Sequence, residues 1–233
     1  MAGRPYRVSA LHEAHRALGA TFRDDGDWRV PDAYTTPAEE AARARAAVGL
    51  ADTSAGGKLS VRGDAVETLV AKLGGTAPLA VGAAARLGVN GATVLVCRLA
   101  ADELLVLTAV VDAAAVAAVL ARAAASAGCA HLTDLTSGLA AVDLIGPRAP
   151  ALLAKLSPLE VAPVPPLGVV QGELARVHAI LIRLDRPPGP AFRALVAREH
   201  GAFVWEALVD AGDDLGVVPI GAAARTLLDE ELR

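Results

Sequence analysis

Apolar and polar positions alternate over Lys58–Arg62, as in a half-buried strand; Gly63-Asp64 then reads as a turn and Ala65–Leu73 as an amphipathic helix. Val94–Leu99 and Leu104–Val110 are short apolar runs on either side of Ala101-Asp102-Glu103, the pattern of a hairpin. Asp112 stands where it can N-cap an alanine-rich helix running to about Ser126, which would cover that hairpin. Upstream, Pro37 near a first helical position and Glu39 and Glu40 in the first turn predict a helix over Thr36–Leu50, ending near Gly49.

The pattern then starts again. Gly138–Ile145 reads as a strand, Gly146-Pro147 as a turn and Arg148–Leu156 as a helix, which sets VDLIGPRAPALLAKL beside LSVRGDAVETLVAKL with Gly63 and Gly146 in register. His178–Leu184 and Ala191–Ala197 flank a turn at Arg186–Pro190, and Glu199–Ala211 is again helical. Strand, helix, hairpin, helix, given twice, predicts an α+β fold of two duplicated split β-α-β-type halves that share a core, residues 1–135 and 136–233. The proline-rich stretch Ser157–Gly168 falls inside the second unit and reads as an ordered loop.

Composition narrows the classes. The chain has 233 residues, 54% hydrophobic and 21% charged, which is too apolar for disorder. A formal net charge of -4 without a dense Lys/Arg run argues against nucleic acid. Mean hydropathy of +0.43 is inflated by alanine, and charged residues, Gly or Pro interrupt the apolar stretches before the roughly 18 residues of a membrane span. With no apolar signal core in MAGRPYRVSALHEAH, the expectation is a soluble, cytoplasmic chain that engages no membrane. Cys97 and Cys129 have no C-x-x-C spacing and imply neither a disulfide framework nor a thiolate site.

Spacing alone names no reaction. His12 and His15 lie three apart on one helix face without a third ligand, and His131, His178 and His200 stand apart from them, so no metal is expected. There is no G-x-S-x-G, Walker A, G-x-G-x-x-G or H-E-x-x-H pattern, and the Gly-rich Ser54–Lys58 leads into a strand, which makes it a plain turn. The acidic groups at Asp24, Asp25 and Asp27 and at Asp229, Glu230 and Glu231 read as solvated charge.

A longer pattern resembles a known family. His15-Arg16-Ala17-Leu18-Gly19-Ala20, Trp28 with Pro31 and Tyr34, Glu39-Glu40, Arg45, Val48-Gly49-Leu50, Asp52 and Ser54 follow the opening of the glycine cleavage T-protein (aminomethyltransferase) family without a gap from His15 to Gly57. That family reads H-x-x-L-G-A, G-W-x-M-P-x-x-Y, E-E-H-x-x-V-R and V-G-L-x-D-x-S-H-M-G. Val142–Pro147 is similar to its A-L-x-G-P, and Pro219, Gly221, Ala224, Arg225 and Leu228 to its P-x-G-x-x-A-R-x-x-L-R. The resemblance implies the duplicated α+β body and tetrahydrofolate in a central hole, as cofactor of one-carbon transfer from an amine. The family normally adds a C-terminal β-barrel, for which the sequence after Arg225 leaves no room, so a barrel is not expected within it.

The departures fall on the implied site. Where the family has N-x-x-G-G-x-x-D-D-L, this chain reads Gly88-Val89-Asn90-Gly91-Ala92-Thr93-Val94, so the acidic pair falls on Ala92 and Thr93, and neither can stabilise an iminium or direct a proton. The pterin-recognising glutamates fall on Gly189 and Arg193, although a pterin edge offering N–H donors wants a carboxylate. The His-Met of S-H-M-G is Ala55-Gly56. Asn90, Thr93, Arg183 and Arg225 remain as the cofactor-binding candidates. Three functions stay open: tetrahydrofolate-dependent one-carbon transfer or demethylation with a rebuilt active site; a non-catalytic folate-binding or scaffold subunit of the sarcosine oxidase gamma type, with a protein partner; and a pocket turned over to another small molecule, where Asp185, Arg186 and Arg193 would favour an anion.

Overall fold

The computed structural model describes residues 5–127, 130–184 and 189–230. Their contacts divide into two compact units, one from residues 1–55, 139–166 and 171–233 and one from residues 56–138 and 167–170.

The chain opens with α1 (His12–Ala17), the hairpin β1 (Thr21–Asp25) and β2 (Trp28–Ala33), α2 (Pro37–Ala46) and β3 (Val48–Asp52). It continues through β4 (Gly57–Arg62), α3 (Val66–Lys72), β5 (Ala84–Val89), β6 (Ala92–Ala100), β7 (Glu103–Thr108), α4 (Ala113–Ala127) and β8 (His131–Asp134). The last part is β9 (Leu139–Ile145), α5 (Ala149–Leu156), β10 (Val169–Leu174), β11 (Val177–Arg183), β12 (Ala191–Ala197), α6 (Gly201–Ala211), β13 (Val217–Pro219) and α7 (Ala222–Glu230).

The larger sheet runs β10-β11-β12-β9-β3-β13 and the smaller β5-β6-β7-β4-β8. Both contain the same succession of strand, helix, three strands, helix, strand, from β4 to β8 and again from β9 to β13, and the larger sheet adds β3 between β9 and β13. The duplicated α+β architecture read from the sequence is therefore present. The paired glycines have one physical role: Gly63 and Gly146 leave β4 and β9 at φ 145° and 134°, a backbone open to glycine alone. At Gly146 a Cβ would also stand 2.3 Å from the Ala44 carbonyl oxygen.

The first predicted helix needs correction. Thr36 and Glu39 form a capping box, but α2 stops at Ala46, and Val48 starts a strand rather than a last helical turn. Gly49 pairs with Ile145 of β9 on one side and Val218 of β13 on the other, and ladders on both edges outweigh the helical pattern. The sequence reading also passed over the β1–β2 hairpin, β5, β8, β10 and β13.

In the smaller unit α3 and α4 share a core with the sheet, with Val66, Leu69, Val116 and Leu120 packed among Leu59, Val61, Val94, Val96, Leu104 and Val106. A short 3-10 turn at Val110–Asp112 runs into α4, and Val110–Ala127 is a helical stretch apolar and long enough to cross a membrane by length and composition, despite Asp112 and Arg122. Its buried stripe, Val116, Leu120 and Ala124, is what a helix covering a sheet presents. In the larger unit Phe192, Leu144 and Leu50 form one buried cross-strand row. A Cβ on Gly201 would stand 2.7 Å from that of Ala140, which puts α6 on the same face as this row, since Ala140 and Leu144 share the parity of β9.

Candidate functional site

Alternation along β9 and β12 turns Asp143 and Arg193 to the face away from α6, directly opposite each other in the ladder. Arg193 Nε donates to Asp143 Oδ1 at 2.6 Å and Nη2 to Oδ2 at 2.8 Å, a bidentate ion pair. The Asp143 side chain is fully buried and that of Arg193 only 16% exposed. Thr53 Oγ1, just past the end of β3, donates to the same Oδ1 at 3.2 Å, so the carboxylate is held from two sides.

Thr53 is placed by its neighbours. Its N–H donates to Ala141 O at 2.9 Å. Ser54 Oγ accepts from Ala141 N at 3.0 Å and donates to Ala141 O at 3.4 Å. Asp52, one residue earlier, points to the opposite face, where its Oδ2 accepts from Ser9 Oγ at 2.6 Å and meets His15 Nε2 at 3.0 Å. Its Oδ1 accepts from Ser54 N at 2.8 Å, closing an Asx turn over Thr53. His15, wholly buried, has Nδ1 2.8 Å from Tyr34 Oη and packs edge-on against Trp205 at 4.8 Å.

Burial pushes the Tyr34 phenol far above its usual range, and the Asp52 and Glu40 carboxylates push the same way. The hydroxyl therefore keeps its proton, and a chain of polar contacts runs from Tyr34 Oη through Nδ1 and Nε2 of His15 to Asp52 Oδ2. At Asp52 burial alone would raise the carboxyl, but the hydrogen bond and Coulombic attraction of His15, with hydrogen bonds from Ser54 and Ser9, outweigh it and hold the carboxyl below its ordinary value.

A depressed folded value means that Asp52 stabilises the fold above its unfolded value of 3.8, and that this stability is lost as pH falls through the folded value. Urea denaturation between pH 2.5 and 6 should show wild type losing its advantage over Asp52→Asn below about pH 4. A difference that stays constant across that range would remove Asp52 from this role.

A third buried carboxylate has a structural task. Glu40 Oε1 accepts from the backbone N–H of Tyr34 and Thr35 at 2.6 and 2.8 Å, and Oε2 from Gly221 N at 2.7 Å, tying the entry of α2 to the start of α7. The Pro219-x-Gly221 motif thus serves the fold: Ile220 N donates to Leu50 O, and Gly221 lies against the backbone of Asp32. In the smaller unit Lys58 is almost fully buried, its Nζ donating to Gly56 O at 2.8 Å and Thr136 O at 3.2 Å.

The four sequence candidates lie at three places. Asn90 lies in the β5–β6 turn and Thr93 on β6 beside it, both exposed, and Asn90 and Gly91 take φ 51° and 82°, the backbone of a two-residue hairpin turn. Arg183, at the end of β11, donates from Nη1 to the carbonyls of Ala162 and Val164 at 3.2 and 2.6 Å and stands 6.0 Å over Phe192. Arg225, on α7, lies 3.9 Å from Asp229. Each arginine thus has its own carbonyl or carboxylate partners. Asp185, Arg186, Cys129 and Glu231 lie outside the described residues. Among the described residues no three His, Cys, Asp or Glu side chains group to hold a metal ion.

Sequence reasoning found Arg193 but missed its partner Asp143 and the buried contact of His15 with Asp52 on the other face of the sheet. Arg193 and Asp143 are 50 residues apart and meet only through ladder register, so no local spacing reveals the pair.

The sequence pattern described as the GCVT N-terminal domain matches residues 11–232. An aminomethyltransferase from Saccharopolyspora erythraea is 31% identical over 230 residues, which cover 95% of this chain and 62% of that protein. The chain thus spans about three fifths of the length of this curated relative. Among solved structures, the glycine cleavage system aminomethyltransferase T from Bartonella henselae matches 97% of this chain and 62% of its own with a TM-score of 0.83 at 23% identity. A chain of heterotetrameric sarcosine oxidase from Corynebacterium sp. U-96 matches 79% of this chain and 97% of its own, with a TM-score of 0.62 at 22% identity. At those identities both show the fold.

Proposed function

Since the chain belongs to the GCVT N-terminal domain family, we propose that it is a non-catalytic member, a subunit or accessory that keeps the family body as a scaffold for a protein partner. One observation carries this reading. Arg193 stands where the family resemblance implies a pterin-recognising glutamate, and one edge of its guanidinium, Nε and Nη2, already donates to Asp143. A pterin edge presents N–H donors and needs an acceptor, whereas this position offers a cation already neutralised by a buried carboxylate. The residues present do not fit that edge of tetrahydrofolate. The acidic pair of the implied transfer site is likewise Ala92 and Thr93, at an exposed hairpin turn.

The solved heterotetramer supports the subunit part of the proposal, because this fold accounts for 97% of one of its chains. A second reading, one-carbon transfer or demethylation with a rebuilt site, draws on the relative named an aminomethyltransferase and would use Asn90, Thr93, Arg183 and Arg225 toward the ligand.

Thermal unfolding separates the two. A ligand at a hundred times its Kd stabilises by about 2.7 kcal/mol, several degrees for a protein of this size. The scaffold reading expects 1 mM 5-formyl-tetrahydrofolate, about a hundred times a 10 μM Kd, to leave the midpoint unmoved. A rise of several degrees would put one-carbon chemistry in front.

A further inference from the structure

We infer that His15 and Asp52 are positioning residues for the Asp143–Arg193 pair, acting through the Asx turn that aims Thr53 at the Asp143 carboxylate. The inference takes its functional meaning from the reading of that pair as the altered ligand position, but its geometry stands apart from it.

Consecutive residues leaving β3 face opposite ways. Asp52 enters the helix-side face, where Ser9 and His15 hold Oδ2 and His15 is itself fixed by the Tyr34 hydroxyl and the Trp205 ring. Thr53 enters the other face and donates to Asp143 Oδ1, the oxygen that also accepts from Arg193 Nε. Between them, Asp52 Oδ1 captures Ser54 N. A carboxylate anchored through one oxygen and closing a turn through the other fixes the peptide between, and with it the direction of the Thr53 side chain.

Three features make this more than packing. The histidine ring is 0% exposed and both its nitrogens are engaged, so its orientation is determined rather than sampled. The Asp52 carboxylate has donors on both oxygens, from α1, from the segment before it and from the turn after it. The receiving carboxylate, Asp143, is buried and bidentate to an arginine, where a small change in donor direction alters a strong, charge-assisted bond.

The ligand-free protein provides the test. Arg193 Nε–H is bonded to a buried carboxylate and should give a slowly exchanging arginine side-chain signal in 1H–15N spectra, assigned by its loss in Arg193→Lys. His15→Gln and Thr53→Val should each speed its exchange about tenfold, the scale of one lost hydrogen bond. The double variant should add little to either, since both act on one path. Leu228→Ala, a buried change on α7, should destabilise the fold yet leave this signal as it is. If His15→Gln fails to fold, Ser9→Ala, which removes another donor to Asp52, takes its place with the same expected acceleration. Fast exchange in Thr53→Val with unchanged exchange in His15→Gln or its replacement would overturn the inference. So would equal acceleration in Leu228→Ala. Tetrahydrofolate binding by the wild type would overturn the scaffold reading without touching this result.

Discussion

Asp143→Ala is expected to lower the free energy of unfolding by about 3–5 kcal/mol, because it leaves the Arg193 guanidinium in the sheet without its counter-charge. The Asp143 side chain is 0% exposed and that of Arg193 16%, so water cannot replace the lost carboxylate without local opening. Thr53 Oγ1 loses an acceptor in the same variant. Removing both charges should be far milder: Asp143→Leu with Arg193→Met is expected within about 1 kcal/mol of wild type or above it, since a buried pair returns little beyond its own desolvation. Urea denaturation of the three proteins checks this. A single variant as stable as wild type would mean that the pair is hydrated and that the site is not closed by it.

Gly221→Ala is expected to cost more than about 4 kcal/mol or to prevent folding, a size confined to specific steric or polar failures. A Cβ there would stand 2.0 Å from the Asp32 carbonyl oxygen, 2.2 Å from its carbon and 2.6 Å from Ala33 N, all backbone atoms of β2 that cannot swing aside. Any shift that relieves the clash also draws Gly221 N away from Glu40 Oε2, now 2.7 Å distant, and frees a buried donor. Gly91→Ala makes the contrast. Gly91 has φ 82° but nothing within 4 Å of its added Cβ, so only the left-handed backbone penalises the change, by about 1 kcal/mol. Circular dichroism and urea denaturation of the two variants give the comparison; equal costs would show that the contact with Asp32 yields.

The duplication was legible because its two copies carry the same physical demand at the same place. Gly63 and Gly146 sit where each first strand turns into its helix, and the apolar runs after them recur in order. Local chemistry was legible too, as in the Thr36–Glu39 capping box. What local reading could not supply was β3, whose Val48-Gly49-Leu50 is extended because two distant strands, β9 and β13, pair with it. The β1–β2 hairpin was hidden by the polar residues scattered through it, Thr21, Arg23, Asp24, Asp25, Arg29 and Asp32, which leave little hydrophobic period to follow.

The site was legible in outline only. Family resemblance marked position 193 as an arginine in place of an acid, but its partner lies 50 residues earlier and is found through register alone. Asp52 and His15 belong to the N-terminal resemblance, yet nothing in their spacing of 37 residues says that they meet. Asn90 showed the reverse: its Asn-Gly dipeptide is a hairpin signal, and the structure uses it as one.

The most direct test of the scaffold reading is calorimetric titration of the purified chain with tetrahydrofolate and its 5-formyl and 5,10-methylene forms, beside a full-length aminomethyltransferase relative as a positive control. The account predicts heat from the relative and none from this chain, because Arg193 and Asp143 satisfy each other where a pterin needs an acceptor. Micromolar binding by this chain would contradict it and return one-carbon transfer to the front.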